Sequence, residues 1–143
     1  MKKGFDYIGQ AATTLCHDGN GRYLLGRRSD KCRDEHFTWD PIGSGAIEFG
    51  DTIIETIHKE VKEECNADVV AIEFLGVREA FRTHNGVPTH WIQFDHKVQI
   101  DPTQVQINEP EKCLELDWFP LDQFPEPLHS QFPHFLSKYR HLL

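Results

Sequence analysis

Gly43–Ala67 reads GSGAIEFGDTIIETIHKEVKEECNA, and its second half has every mark of a helix. Thr52-Ile53-Ile54-Glu55 fits a capping box, in which the Thr52 hydroxyl accepts from the Glu55 amide and the Glu55 carboxylate reaches back. The helix is predicted to begin there. Ile54, Ile57, Val61 and Cys65 recur at helical spacing and give an apolar stripe for docking on a sheet. Asn66, which tolerates the left-handed conformation, ends it. Glu60, Glu63 and Glu64 stand at i, i+3 and i+4, so three carboxylates project from neighbouring positions of one surface. On a solvated helix such pairs cost roughly a few tenths of a kcal/mol each, but in a cavity that limits hydration they need compensation. A divalent cation supplies it: hard Mg²⁺, with Mn²⁺ as the alternative ion, takes oxygen ligands, usually one or two carboxylates with water and phosphate completing the set. Ahead of the helix, Gly43, Ser44, Gly45 and Gly50 form a loop of little bulk, where a backbone carbonyl can approach a metal closely.

Gly45, five residues, Asp51, seven residues, then Lys59-Glu60-Val61-Lys62-Glu63-Glu64-Cys65-Asn66-Ala67 follow in one register without gaps. This spacing resembles the signature of the Nudix hydrolases, G-x5-E-x7-R-E-U-x-E-E-x-G-U with U aliphatic. Asp51 stands for Glu, Lys59 for Arg and Asn66 for Gly, and Ala67 is a weak fit to the last aliphatic position. Lys59 matters most of these, because an ammonium cannot reproduce the bidentate fork that Arg offers a carboxylate. Trp39 before the box and Glu115–Asp122 after it also resemble the family's surroundings.

The resemblance implies an α/β (α+β) fold, the Nudix-type α-β-α sandwich with a central mixed sheet, and hydrolysis of a phosphoanhydride in a nucleoside diphosphate linked to another group. It makes Glu60 and Glu64 the first metal ligands, Glu63 a third ligand or nearby base, and the Gly45 carbonyl a further oxygen. Arg27 or Arg28 would face the substrate phosphates, each with a solvated loop arginine as its bland counterpart. A further acid is expected from the loop around Asn108–Cys113, with Glu109, Glu111 and Glu115 as candidates and Glu111 preferred. A homodimer is also in keeping with the family. A non-catalytic Nudix-like domain that binds a nucleotide or regulates a partner is the alternative, and the retained Glu60, Glu63 and Glu64 speak against it. Isopentenyl diphosphate isomerase shares the fold, but no Cys follows Trp39 where that chemistry needs one.

A chain of 143 residues suggests one domain spanning 1–143. An apolar share of 38% and a charged share of 27% fit a globular protein and argue against disorder. The net charge of −8 disfavours nonspecific nucleic-acid or anionic-membrane binding, which needs clustered Lys and Arg. A small nucleotide substrate stays compatible, since a metal can carry the local positive charge. No segment approaches a membrane span, MKKGFDYIGQ is followed by no signal-like apolar run, and Cys16, Cys32, Cys65 and Cys113 lack C-x-x-C spacing. Reduced thiols in the cytoplasm are the expectation.

Outside the box, Tyr7–Leu15 reads as a strand and His17–Gly21 as a turn into a second strand, Arg22–Gly26, making a hairpin. Val69 to Phe81 is strand territory, Asn85-Gly86 a hairpin turn, and Ile92, Phe94, His96, Val98 and Ile100 alternate as a half-buried strand. From about Pro133, Phe135, Leu136, Tyr139 and Leu143 recur at helical intervals and predict a closing helix. Trp39 either stacks on a base or closes the core beneath the loop, with the core favoured, and Phe37, Phe81 and Trp118 are likewise expected in the core. His84, His90 and His96 have no metal-ligand spacing.

Overall fold

In the computed structural model, which describes residues 1–143, the chain forms seven strands and two helices. The strands are β1 (Gly9–His17), β2 (Arg22–Arg28), β3 (Trp39–Pro41), β4 (Gly45–Ala46), β5 (Val69–His84), β6 (Val87–Ile100) and β7 (Cys113–Pro120), and the helices are α1 (Ile53–Cys65) and α2 (Phe132–Tyr139). One sheet runs in the order β3-β2-β1-β6-β5, with β4 added to β1 and β7 to β2. β1 and β6 pair in parallel from Gly9↔Trp91 to His17↔Gln99, while the other pairings are antiparallel, so the sheet is mixed.

Alternation along the strands divides the core between two faces. Ala12, Cys16, Leu24, Val98 and Ile100 point to one side and pack under Ile57, Val61 and Cys65 of α1. Leu15, Tyr23 and Leu25 point to the other, where they meet Trp39 and Phe132, Phe135, Leu136 and Tyr139 of α2. This is the expected α-β-α sandwich. No helix is long and apolar enough to cross a membrane.

Both ends of α1 follow the sequence reading. The Thr52 hydroxyl accepts from the Glu55 amide at 3.0 Å, and Asn66 closes the helix at φ 65°. The Glu55 carboxylate meets the Thr52 hydroxyl at 3.2 Å. The buried stripe differs at its start: Ile54 is 48% exposed, Thr56 is buried, and Ile53 packs against the core. The stripe therefore winds through 53, 56–57, 61 and 65, and this rotation brings Glu60 and Glu64 to its border, partly buried, while Glu63 faces solvent.

The hairpin at Asn85-Gly86 forms with φ 51° and 78°, the left-handed pair that a two-residue turn requires. The first hairpin is less complete than expected. β1 runs from Gly9 to His17, two residues later than the Tyr7–Leu15 reading, and pairs with β2 at His17↔Tyr23, while β3 pairs with β2 at Leu25–Arg27 and β4 with β1 at Ala11 and Ala12. A buried polar group locks β5, β6 and α2 together. Asp95, with no solvent exposure, accepts from Arg78 Nε at 2.7 Å and Nη2 at 3.1 Å, from the Tyr139 hydroxyl at 2.7 Å, and from the Thr13 hydroxyl.

Candidate active site

Glu64 is the most constrained acid of α1. Its Oε2 accepts from the Gly43 amide at 2.6 Å. Gly43 has φ +97°, and a Cβ there would lie 2.7 Å from Val61 and 2.8 Å from Thr14, so only glycine brings this amide to the carboxylate. Burial pushes Glu64 from its ordinary 4.5 up to about 8; the Gly43 N–H opposes the shift, and Glu60, Glu109 and Asp40 reinforce it. Glu60 is raised too, first by burial and then by Glu63, with Lys59 opposing. A Cβ on Gly45 would overlap the Glu60 carboxyl group, so the backbone of β4 lies directly against this acid. The loop backbone at Gly43 and Gly45 thus lies against the helix acids Glu64 and Glu60.

A cavity of about 160 Å³ opens beside Glu64. Asp40, Glu64 and Glu109 supply carboxylates to its wall, and Arg27, Arg28 and Lys112 supply cations. Both candidate arginines are therefore at the cavity, each held from outside it. Arg27 donates to the Phe37 carbonyl at 3.2 Å and contacts Glu115 at 3.4 Å, while Arg28 holds the Asp34 carbonyl and carboxylate at 3.1–3.2 Å. Burial raises the pKa of Asp40.

Glu111 does not reach the cavity, and Glu109 does. The amides of Lys112 and Cys113 both bond the Glu109 carbonyl at 2.9 Å, so the chain turns back over Glu109 and leaves the Glu111 side chain exposed at the apex. Glu63 is exposed, and its charge adds to the burial that raises Glu60. Trp39 is buried, with its ring edge-on to Phe119 at 5.3 Å and 80°, which makes it part of the core rather than a base-stacking surface. Phe37 and Phe81, expected inside, are 45% and 69% exposed, and Phe81 stacks on His90 at 4.2 Å. Trp118 is partly buried against the α1-side core.

Asp40 is the member of the site that the sequence reading passes over. Its signal is positional: Trp39-Asp40-Pro41 forms β3 at the sheet edge, and with Trp39 turned to the core the next side chain points to the opposite face. Lys59, standing where the Nudix signature has Arg, forms no ion pair, but its charge opposes the burial that raises Glu60. A second cavity of about 170 Å³ adjoins the first, sharing Asp40, Pro41 and Ser44 with it and extending toward Arg78, Gln93 and Phe135 on the α2 side.

The donor set fits a hard divalent cation. Glu60 and Glu64 are oxygen donors held partly out of water with raised pKa values, and the Gly45 backbone lies against Glu60. No three His, Cys, Asp or Glu side chains converge on one point, and Mg²⁺ asks for only one or two carboxylates beside water and phosphate.

Comparison with known proteins agrees with this architecture. The structure superposes on a MutT NUDIX hydrolase from Burkholderia pseudomallei with a TM-score of 0.80 at 22% identity, covering 93% of this chain and 98% of that one. It is also similar to a MutT protein from Bacillus halodurans, at TM-score 0.70 and 20% identity over 94% and 83% of the two chains. An Ap4A hydrolase from C. elegans matches at TM-score 0.62 and 17% identity over 94% and 98%. At these identities the likeness is one of fold. The NUDIX domain model itself matches residues 8–139, and with the signature box lying inside that span, the chain belongs to the NUDIX domain family, hydrolases of pyrophosphate bonds.

Proposed function

We propose that this chain, acting as one domain, is a Mg²⁺-dependent pyrophosphohydrolase that cleaves a phosphoanhydride in a nucleoside diphosphate linked to a further group. The observation that carries this reading is Glu64, a carboxylate pushed up to about 8 by burial and fixed on the Gly43 amide in a cavity whose wall also bears Arg27, Arg28 and Lys112. A protein of net charge −8 has little general attraction for a polyphosphate. Local cations must therefore hold the substrate. Glu60 and Glu64, with the Gly45 carbonyl, would hold the metal, which when bound offsets the charge on phosphate oxygens and acidifies water. Arg27, Arg28 and Lys112 orient the phosphate chain. Glu109, which lines the same cavity as Glu64, would take a proton from the attacking water.

The similar folds belong to MutT proteins and an Ap4A hydrolase, so nucleoside triphosphates and dinucleoside polyphosphates head the substrates to examine, beside nucleotide sugars and ADP-ribose. Phosphate release from this panel, after coupling to phosphatases, is expected for one class in Mg²⁺ and is expected to vanish in EDTA. Binding of a nucleotide without turnover of any class would instead support the non-catalytic reading.

A further inference from the structure

Four residues other than glycine have a left-handed backbone. Asn66 and Asn85 sit at a helix cap and a hairpin turn, where asparagine is at home. The other two, Glu35 at φ 51° and Phe37 at φ 63°, lie in the loop between β2 and β3. Neither residue type favours that conformation, and it persists only where the surrounding structure over-determines it.

The two strained residues border the carbonyls that hold the cavity arginines. The Phe37 carbonyl accepts from Arg27 Nε at 3.2 Å. The Asp34 carbonyl, in the peptide that joins Asp34 to Glu35, accepts from Arg28 Nε at 3.2 Å and Nη2 at 3.1 Å, and Asp34 Oδ1 accepts from the same Nη2 at 3.2 Å. These contacts engage Nε and Nη2 of Arg28 and leave its Nη1 for a ligand oxygen. The direction of each carbonyl is set by the backbone torsions beside it, so the left-handed turn decides how both guanidinium groups are held.

The turn is pinned from outside the cavity. Glu35 Oε1 accepts from the Ser130 amide, just ahead of α2, at 2.6 Å. Its Oε2 lies 3.7 Å from Arg82 Nη2 on β5, and the same nitrogen meets Asp34 Oδ2 at 3.3 Å. The Glu35 carbonyl accepts from the Thr38 hydroxyl at 2.7 Å. One carboxylate thus ties the loop both to the entry of α2 and to β5.

We propose that Glu35 is a positioning residue for phosphate binding: its grip on Ser130 and Arg82 fixes the turn whose carbonyls orient Arg27 and Arg28 at the cavity. The proposal rests on the reading of those arginines as phosphate-binding groups and adds what keeps them set.

Calorimetric titration of the full chain with methylenediphosphonate in Mg²⁺ tests it, since the P–C–P link of this probe resists hydrolysis. Glu35→Gly is the informative variant, because glycine adopts the left-handed conformation freely and only the side-chain anchor is lost. It is expected to bind the probe about tenfold more weakly than wild type. Glu35→Gln keeps an oxygen for the Ser130 amide and is expected to stay within about threefold of wild type. In a chain already carrying Arg27→Ala and Arg28→Ala, Glu35→Gly is expected to change the affinity no further, because it acts through those two side chains. Wild-type affinity in Glu35→Gly, a loss of equal size on both backgrounds, or no binding of the probe by the wild type overturns the proposal. Should Glu35→Gly fail to fold, Arg82→Gln takes its place in the same cycle and is judged by the same outcomes. Phosphate release from the nucleotide panel separates the two claims. The expected binding pattern without turnover of any nucleotide would sink the hydrolase reading alone, whereas metal-dependent turnover with wild-type probe affinity in Glu35→Gly would sink the role of Glu35 alone.

Discussion

Glu64→Gln is expected to lower turnover by on the order of 10³-fold while leaving the fold intact. The carboxamide oxygen can still accept from Gly43, so the loop keeps its anchor, but the negative charge offered to a cation is gone. The same substitution has a second, opposite effect on stability. In the folded chain Glu64 titrates at about 8 instead of its ordinary 4.5, so the metal-free protein binds this proton more tightly folded than unfolded. Stability from this group is fully present below 4.5 and falls as pH rises toward 8, with a slope of at most about 1.4 kcal/mol per pH unit. Glu64→Gln lacks that loss. Urea unfolding in EDTA should therefore find the variant more stable than wild type at about pH 8, by on the order of a few kcal/mol, with the gap closing in acid. A variant that is both less active and less stable at every pH would mean that Glu64 serves the fold and not the chemistry.

Asp95→Ala carries the largest expected stability effect. The Asp95 side chain is fully buried and the Arg78 side chain only 12% exposed, so removing the acid leaves a guanidinium with little water and no counter-charge. Breaking a buried pair from one side costs about 3–5 kcal/mol. The Tyr139 and Thr13 hydroxyls lose their acceptor as well, which places the effect toward the upper end. Asp95→Ala with Arg78→Met removes both charges and should recover much of the loss, since a buried pair often contributes little beyond its apolar replacement. Urea unfolding of the two variants measures both numbers. Additive losses in the double variant would show that the pair is not coupled as its 2.7 Å contact requires.

What could be read in the sequence was local. Thr52, Asn66 and Asn85-Gly86 act through their own backbone conformations, so cap and turn signals placed α1 and the β5–β6 hairpin correctly. The strand order was not legible in the same way, because the parallel pairing of β1 with β6 joins residues about eighty positions apart and depends on both helices covering the sheet. The site divides along the same line. Glu60 and Glu64 follow from helical spacing, but which loop acid lines the cavity depends on the reversal of the chain at Glu109, which turns Glu109 inward and leaves Glu111 exposed. Asp40 is placed by the direction of Trp39, whose ring faces the core.

A Mn²⁺ titration followed by electron paramagnetic resonance of the free ion, on wild type and Glu64→Gln at about pH 6 and about pH 9, asks directly whether the Glu60–Glu64 site holds the metal. The wild type is expected to bind more tightly at the higher pH, where Glu64 gives up its proton without competition, and Glu64→Gln to bind at least roughly tenfold more weakly there with little dependence on pH. Equal affinity in the two proteins, or wild-type binding that ignores pH, would contradict the assignment of Glu64 as a metal ligand and the hydrolytic site built on it.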